Sequence, residues 1–262
     1  MRYAVGDIHG CLDELKKTLD LAGFSDSDML YGVGDFCDRG TQNIETLRYV
    51  MGLPNFKSVF GNHDIWPYQH LDKSRRPRLD YIWVRGTWYS NGGRGTERQL
   101  PKGDEGEAIA AWLGDLPLVI DLGDVMIMHN PSLYILERFS QLRCLRMCEI
   151  LGFFCQHDYD SFFWDRRIIN HVEEPGRPSP VSPEDFRRIC GDKLVVCGHT
   201  PIIGRPLYSP EFRLADIDTG AFATPMRGWP HDGRLTVLNL DSLEWIQNDG
   251  TKGSLTAGGG SR

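Results

Sequence analysis

Residues 3–10 read Tyr3-Ala4-Val5-Gly6-Asp7-Ile8-His9-Gly10: an apolar run, a glycine stop, then a carboxylate and an imidazole one residue apart. A short apolar run closed by Gly-Asp reads as a strand ending in a turn. Residues two apart in an extended segment point the same way, so Asp7 and His9 can reach one ion. The arrangement recurs. Asp28-Met29-Leu30-Tyr31-Gly32-Val33-Gly34 runs into Asp35-Phe36-Cys37-Asp38-Arg39-Gly40, and Phe56-Lys57-Ser58-Val59-Phe60 runs into Gly61-Asn62-His63-Asp64. Between these runs Leu12, Leu15, Leu19 and Ala22, then Ile44, Leu47 and Met51, recur at helical spacing, predicting helices over 11–22 and 41–51. Strand, helix, strand, helix, strand predicts a parallel sheet with helices on its faces. Ligands bind such sheets outside the carboxyl ends of the strands, where all three polar blocks fall.

The second half is more mixed. Strands are expected over 118–120, 125–128 and 193–197, and the last two run into Met128-His129-Asn130 and Gly198-His199-Thr200-Pro201. Three antiparallel strands are expected over 214–218, near Ala221, and over 235–240. Helices are expected over 105–114 and, in the main, over 133–155, with a further helix capped by Ser182 and opened by Pro183. This pattern fits a two-layer sandwich core with outer helices better than a purely parallel sheet. Residues 67–107 are the least periodic and read as a partly helical excursion followed by a surface loop. Arg75, Arg76, Arg78 and Arg85 lie there with Trp88 and Tyr89; a solvated flank with local apolar anchors explains this mixture as well as RNA binding does. The chain reads as a single domain over 1–249, with a disordered tail over 250–262 around Gly258-Gly259-Gly260.

Composition sets outer bounds. A chain of 262 residues, 40% hydrophobic and 25% charged, can bury one sizeable core. A net charge of -7 argues against a nucleic-acid partner. Seven cysteines, an odd count in a chain of this size, predict free thiols in a reducing compartment. Cys144, Cys148 and Cys155 sit in a leucine-rich stretch and read as apolar packing rather than a zinc site. The first residues do not resemble a signal peptide, and no stretch reaches the length of a membrane span, so the cytoplasm is the expected location, with no membrane partner. The oligomeric state is not legible.

The polar blocks carry the chemistry. Asp7 and His9 can share an ion, Asp35 is a natural bridging carboxylate, Asn62 adds a neutral oxygen, and His129 and His199 add nitrogens. Imidazole with carboxylate suits manganese, iron or zinc. Two such ions, about 3.5–4 Å apart, can generate a bridging hydroxide and neutralise a phosphoryl group during in-line displacement. His63 follows Asn62 and does not easily reach the same ion, so it is better placed to protonate a leaving oxygen. Asp38 is expected to orient His63 and raise its pKa. Arg39 can clamp a phosphoryl oxygen.

Gly-Asp-Ile-His-Gly, Gly-Asp-Xaa-Xaa-Asp-Arg-Gly, Gly-Asn-His-Asp, a later histidine and Gly-His-Thr-Pro together resemble the signature of the calcineurin-like metallophosphoesterases. The match runs from residue 3 to about 240. The intact Asp38-Arg39-Gly40 block looks like the phosphoprotein phosphatase branch, in particular its small bacterial and phage serine/threonine phosphatases. Asn91-Gly92-Gly93 after Trp88, and Asp218-Thr219-Gly220-Ala221, are similar to segments of that branch. The resemblance implies an α/β fold, a four-layer α/β/β/α sandwich with a dinuclear metal site at the strand ends. It implies Asp7, His9 and Asp35 around one ion and Asp35, Asn62, His129 and His199 around the other. His63 would be the general acid paired with Asp38, Arg39 would bind phosphate, and Arg166 in Trp164-Asp165-Arg166 would be the second phosphate-binding arginine. Manganese would be the usual activating ion. The implied activity is hydrolysis of phosphoserine or phosphothreonine in proteins, the partner being a phosphorylated protein or a small phosphoester. Asp64 departs from the glutamate more common in protein phosphatases and matches the related symmetrical dinucleoside tetraphosphatases, so diadenosine tetraphosphate or another nucleotide polyphosphate is the alternative substrate.

Overall fold

The computed structural model describes residues 1–72, 81–151 and 162–256. Arg75, Arg76, Arg78, Cys155 and residues 257–262 lie outside these, as do the side chains of residues 81–84.

Eleven described strands form two sheets. In the first, β1 (Arg2–Val5), β2 (Met29–Gly32) and β3 (Phe56–Ser58) are parallel neighbours. Three antiparallel strands extend it past β1: β9 (Thr236–Asn239), β10 (Glu244–Gln247) and β11 (Lys252–Ser254). In the second sheet β5 (Val125–Met128), β6 (Leu194–Cys197) and β8 (Leu214–Asp216) are parallel, and β4 (Val119–Asp121) and β7 (Leu207–Ser209) close the edges antiparallel.

The side-chain alternation of the strands explains the layering. Ala4 of β1, Val125 and Ile127 of β5, Leu194 and Val196 of β6, Ala215 of β8 and Leu238 of β9 share one buried cluster. Their strand neighbours Tyr3 and Val5, Met126 and Met128, Val195 and Cys197, Leu214 and Val237 belong to a second cluster that also holds helix residues. One face of each sheet therefore meets the other sheet and the opposite face meets helices, giving the four-layer order α/β/β/α. The helices include α1 (Leu12–Leu21), α2 (Asn43–Gly52), α3 (Asn62–Leu71), α4 (Tyr81–Ser90), α5 (Gly93–Gln99), α6 (Asp104–Asp115), α7 (Arg167–Glu173) and α8 (Pro183–Ile189). The Ser182 hydroxyl caps α8 by accepting from the Asp185 N–H at 3.0 Å.

Several expectations change. The stretch expected to be a partly helical excursion and then a surface loop holds α4 and α5, which pack against α2, α3 and each other while leaving residues such as Arg85, Ser90 and Arg94 exposed. The helix expected over 133–155 is broken into short pieces, Leu133–Glu137, Phe139–Leu142 and Met147–Ile150. Residues 214–216 pair parallel to β6, not only antiparallel, and the stretch at Ala221 is a turn. The tail expected to be disordered from Gly250 instead supplies β11, which pairs with β10 and buries Leu255 between the sheets. A weakly apolar three-residue strand carries no pattern of its own and forms because β10 offers it an edge.

Candidate active site

Every parallel strand except β8 ends in a candidate ligand block, and the blocks meet. Asp7 follows β1, Asp35 follows β2, Asn62 opens α3 just after β3, His129 follows β5 and His199 follows β6. Asp7, His9, Asp35, Asn62, His129 and His199 are each no more than 3% exposed. Close approach is built into the neighbouring glycines. A Cβ on Gly61 would stand 2.0 Å from the Asp35 carboxylate, and one on Gly198 would stand 2.0 Å from that of Asp7. His9, Asp35, Asp38, Arg39 and His199 all adopt positive φ, between 49° and 75°. Such backbone costs about 1–3 kcal/mol per residue and persists where the surroundings over-determine it.

Asp35 is the hinge of the constellation. Its Oδ2 faces His9 Nε2 at 3.5 Å and its Oδ1 faces His129 Nε2 at 3.6 Å. Two compact groups result, His9–Asp35–His63 and Asp7–Asp35–His129, with Asp35 common to both. Asp7 thus also stands close to His129, on the side expected to hold the second ion. Asn62 Oδ1 lies 2.8 Å from His129 Nε2 and 2.9 Å from His199 Nδ1. Ligand atoms about 2.0–2.2 Å from one ion and at near right angles stand about 3 Å apart, so these separations fit a shared ion. The outer contacts fit as well. His9 Nδ1 is 2.7 Å from the Cys37 carbonyl and His129 Nδ1 is 2.8 Å from the Val33 carbonyl. An Nδ1–H donated to a carbonyl leaves the Nε2 lone pair facing inward, as metal-ligating histidines are held.

Electrostatics gives the same answer. Burial pushes the Asp35 carboxyl up to about 7 and that of Asp7 well above the usual range, with neighbouring carboxylates adding to the effect on Asp7. Burial pushes His129 down to about 4, and His9 and His199 well below the ordinary imidazole value. Burial dominates each shift, so the cavity is dry; the nearby Arg39 and Arg166 charges lower the histidines further but do not bring Asp7 or Asp35 back to the ordinary carboxylate value. Divalent ions invert this balance. The donor set therefore fits two cations.

On the other side of the site, His63 Nδ1 lies 2.8 Å from Asp38 Oδ2, with both groups buried. The Arg39 guanidinium spans two histidines, Nη1 at 3.3 Å from His9 Nε2 and Nη2 at 3.2 Å from His63 Nε2. Arg166 approaches from the N-terminal cap of α7, with Nε 3.4 Å from His199 Nε2 and Nη2 donating to the His199 carbonyl at 3.3 Å. Arg167 instead faces solvent and pairs with Asp165 at 2.7 Å. Arg166, the one expected from the Trp164-Asp165-Arg166 segment, is thus the arginine that faces the site. One expectation is corrected: His63 is oriented by Asp38, but its pKa is not raised. Burial and the nearby Arg39 charge hold it well below the usual value.

A calcineurin-like phosphoesterase family model matches residues 3–203. The chain belongs to this family. A curated relative, the symmetrical bis(5'-nucleosyl)-tetraphosphatase of Aromatoleum aromaticum, is 34% identical over 94% of this chain and 95% of its own. Among solved structures, a cold-active protein-tyrosine phosphatase of a psychrophilic Shewanella aligns over 97% of this chain and 80% of its own, with TM-score 0.59 and 20% identity. A putative diadenosine tetraphosphatase aligns over 96% and 93%, with TM-score 0.56 and 19% identity. At such identities the structures speak for the fold alone.

Within the phosphoesterase site, Asp64 sits differently from its place in the sequence argument. Its carboxylate accepts from the N–H groups of Gly61 at 2.7 Å, Asp35 at 2.9 Å and Phe36 at 3.0 Å. It ties the second block to the third and is fully buried, so a change there cannot read substrate by contact. Four further residues at the site carry no role in the sequence reading. Asp218 is buried with Oδ2 unpartnered among the described residues, and it feels the Arg39 and Arg166 charges. The Phe222 ring lies 4.2 Å from the Arg39 guanidinium carbon and 4.9 Å from the His9 ring. Trp88 and Thr96 both reach Asp38. Trp88 and Asp218 fall in segments similar to family segments, whereas Thr96 and Phe222 carried no sequence signal. The remaining Cys144 and Cys148 join no ligand group among the described residues. No described helix is long and apolar enough to cross a membrane.

Proposed function

We propose that this phosphoesterase hydrolyses a phosphoric ester or anhydride with two divalent ions, manganese first among the candidates and iron or zinc next. The observation that carries the reading is Asp35, whose two carboxylate oxygens face the His9 and His129 sides of the site. Asp7, His9 and Asp35 would hold one ion, and Asp35, Asn62, His129 and His199 the other. Bound there, the ions would supply Lewis-acid charge neutralisation and an activated water-derived nucleophile. Arg39 from the loop after β2 and Arg166 from the cap of α7 bind and orient the phosphoryl oxygens. Asp38 holds the His63 Nδ1 proton, so Nε2 faces the position beside Arg39 where the leaving oxygen departs. A phosphoryl dianion at that position favours the cationic imidazole and offsets the lowering by burial, so His63 can deliver its Nε2 proton.

For the substrate we put dinucleoside polyphosphates first, on the strength of a relative alike along nearly the whole of both chains. Phosphoserine or phosphothreonine in a protein is the second reading, favoured by the buried His63–Asp38 pair. An alkoxide leaves poorly without a proton, whereas a nucleoside diphosphate leaves more readily. Turnover of diadenosine tetraphosphate and of a phosphopeptide, compared at equal manganese loading, tests the choice. Faster turnover of the dinucleotide supports the first reading, and turnover of the phosphopeptide alone replaces it with the second. No turnover of either substrate or of an aryl phosphate sinks both.

A further inference from the structure

Asp38 is fully buried, yet its carboxylate is crowded with donors. Besides His63, it accepts from Trp88 Nε1 at 2.9 Å to Oδ1 and 3.0 Å to Oδ2. The Thr96 hydroxyl donates to Oδ1 at 2.5 Å while accepting from the Asp38 backbone N–H at 3.1 Å. That reciprocal contact uses the only proton of the hydroxyl and fixes its direction. Trp88 lies in the last turn of α4 and Thr96 lies in α5, so one helical elbow grips both the backbone and the carboxylate of Asp38.

The Asn91-Gly92-Gly93 link has a physical reason in this grip. Gly92 adopts φ +95°, and a Cβ there would stand 2.7 Å from the Arg39 backbone nitrogen. A Cβ on Gly93 would stand 2.0 Å from the Trp88 ring and 2.1 Å from its Nε1. Only a bare backbone leaves the indole where it is. The elbow thus sits directly against the Asp38-Arg39 step, which itself has positive φ at both residues.

We propose that Trp88 and Thr96 are positioning residues for leaving-group protonation, acting on His63 through Asp38, and that Gly92-Gly93 exists to seat them. Two neutral donors take up carboxylate lone pairs that would otherwise let Asp38 swing. The one remaining direction points at His63 Nδ1 and fixes the imidazole plane. Both residues are buried, and Trp88 is too buried to serve as a stacking surface for a base.

The inference rests on His63 being the acid, and the test separates the two claims. Variants Trp88→Phe, Thr96→Val, Thr96→Ser and Gly93→Ala are assayed with manganese on phenyl phosphate, which needs a proton on its leaving oxygen, and on 2,4-dinitrophenyl phosphate, which does not. Trp88→Phe and Thr96→Val are expected to lose at least about tenfold more kcat on phenyl phosphate than on the dinitro ester, within the range of a general acid's contribution. Gly93→Ala should behave like Trp88→Phe, and Thr96→Ser should restore the ratio. Equal losses on both esters, or a ratio that Thr96→Ser fails to restore, overturn the positioning role. His63→Asn is the control: if it too loses both esters equally, the acid assignment has failed, whereas a selective loss in His63→Asn alone removes only the grip. Should Trp88→Phe not fold, the Thr96 pair decides.

Discussion

The two ends of this sandwich are built from the same strands and differ in nearly everything else. At the amino end, charges are exposed and paired. Arg2, opening β1, bridges Asp124 before β5 at 2.8 Å and Asp241 at 2.7 Å, and Lys193 before β6 meets Asp121 at 2.5 Å. At the carboxyl end, charges are buried, the Oδ2 atoms of Asp216 and Asp218 lack partners among the described residues, and five non-glycine residues adopt left-handed backbone, against Asp192, Arg213 and Leu243 at the amino end. The amino end is a surface fastening between sheets. The carboxyl end concentrates buried carboxylates whose electrostatics bound cations would offset. A comparison of the ends therefore separates residues kept for stability from residues kept for chemistry.

The sharpest way to break this contrast is Asp35→Ala. Because both halves of the site share this carboxylate, activity should fall by more than the roughly 10–100-fold typical of a residue one step removed from a metal. Manganese should also cease to raise the melting temperature, an effect that ligand linkage demands of the intact site. Retained manganese stabilisation would show that the carboxyl end is not a two-ion cradle. Next, His63→Asn should leave that stabilisation intact while slowing turnover of a poor leaving group by roughly 10²–10⁴-fold. Arg166→Ala should act mainly through KM, raising it by about 10–100-fold, the worth of one charged hydrogen bond. A change in kcat alone would assign Arg166 another task.

Asp64→Ala tests a residue that belongs to the chemical end by position and to the structural class by contact. Removing the acceptor of three buried N–H groups should cost about 3 kcal/mol in denaturant unfolding. Its preference between dinucleotide and phosphopeptide should not change. The smallest effect belongs to the amino end. Asp124 is held down to about 2 by its hydrogen bonds with Arg2, so its contribution is present above the ordinary carboxylate value near 4 and lost as pH falls toward 2. The pair is exposed and screened, so Arg2→Ala should cost less than about 1 kcal/mol at neutral pH and a smaller amount near pH 2. Urea melts at the two pH values would measure it.

Legibility followed the same division. The blocks after β1, β2, β3, β5 and β6 could be read because each couples an apolar run to a short polar stop, and strand ends in a parallel sheet converge. Helices α1, α2 and α6 were legible from spacing, and α6 buries Ile109 and Leu113 with Trp112 half-buried beside them. The elbow of α4 and α5 was not. Its sequence is rich in glycine, arginine and aromatics, and its residues are spent on Asp38 and on each other rather than along one apolar face. Strand β11 was hidden for a related reason, since its pairing partner rather than its own side chains makes it a strand.

By itself, the sequence determined which groups could carry the chemistry. Asp7, His9, Asp35, Asn62, His63, His129 and His199 stand at stops whose local geometry follows from adjacent glycines and strands. Only the tertiary structure decided which way those groups work. It turned Arg166 inward and Arg167 outward, made Asp64 a brace, and surrounded Asp38 with Trp88 and Thr96. It also held His63 below its ordinary pKa where a pairing argument alone would have raised it. Spacing along the chain fixes what a residue can reach, but desolvation and the third and fourth neighbours are set only when distant segments pack together.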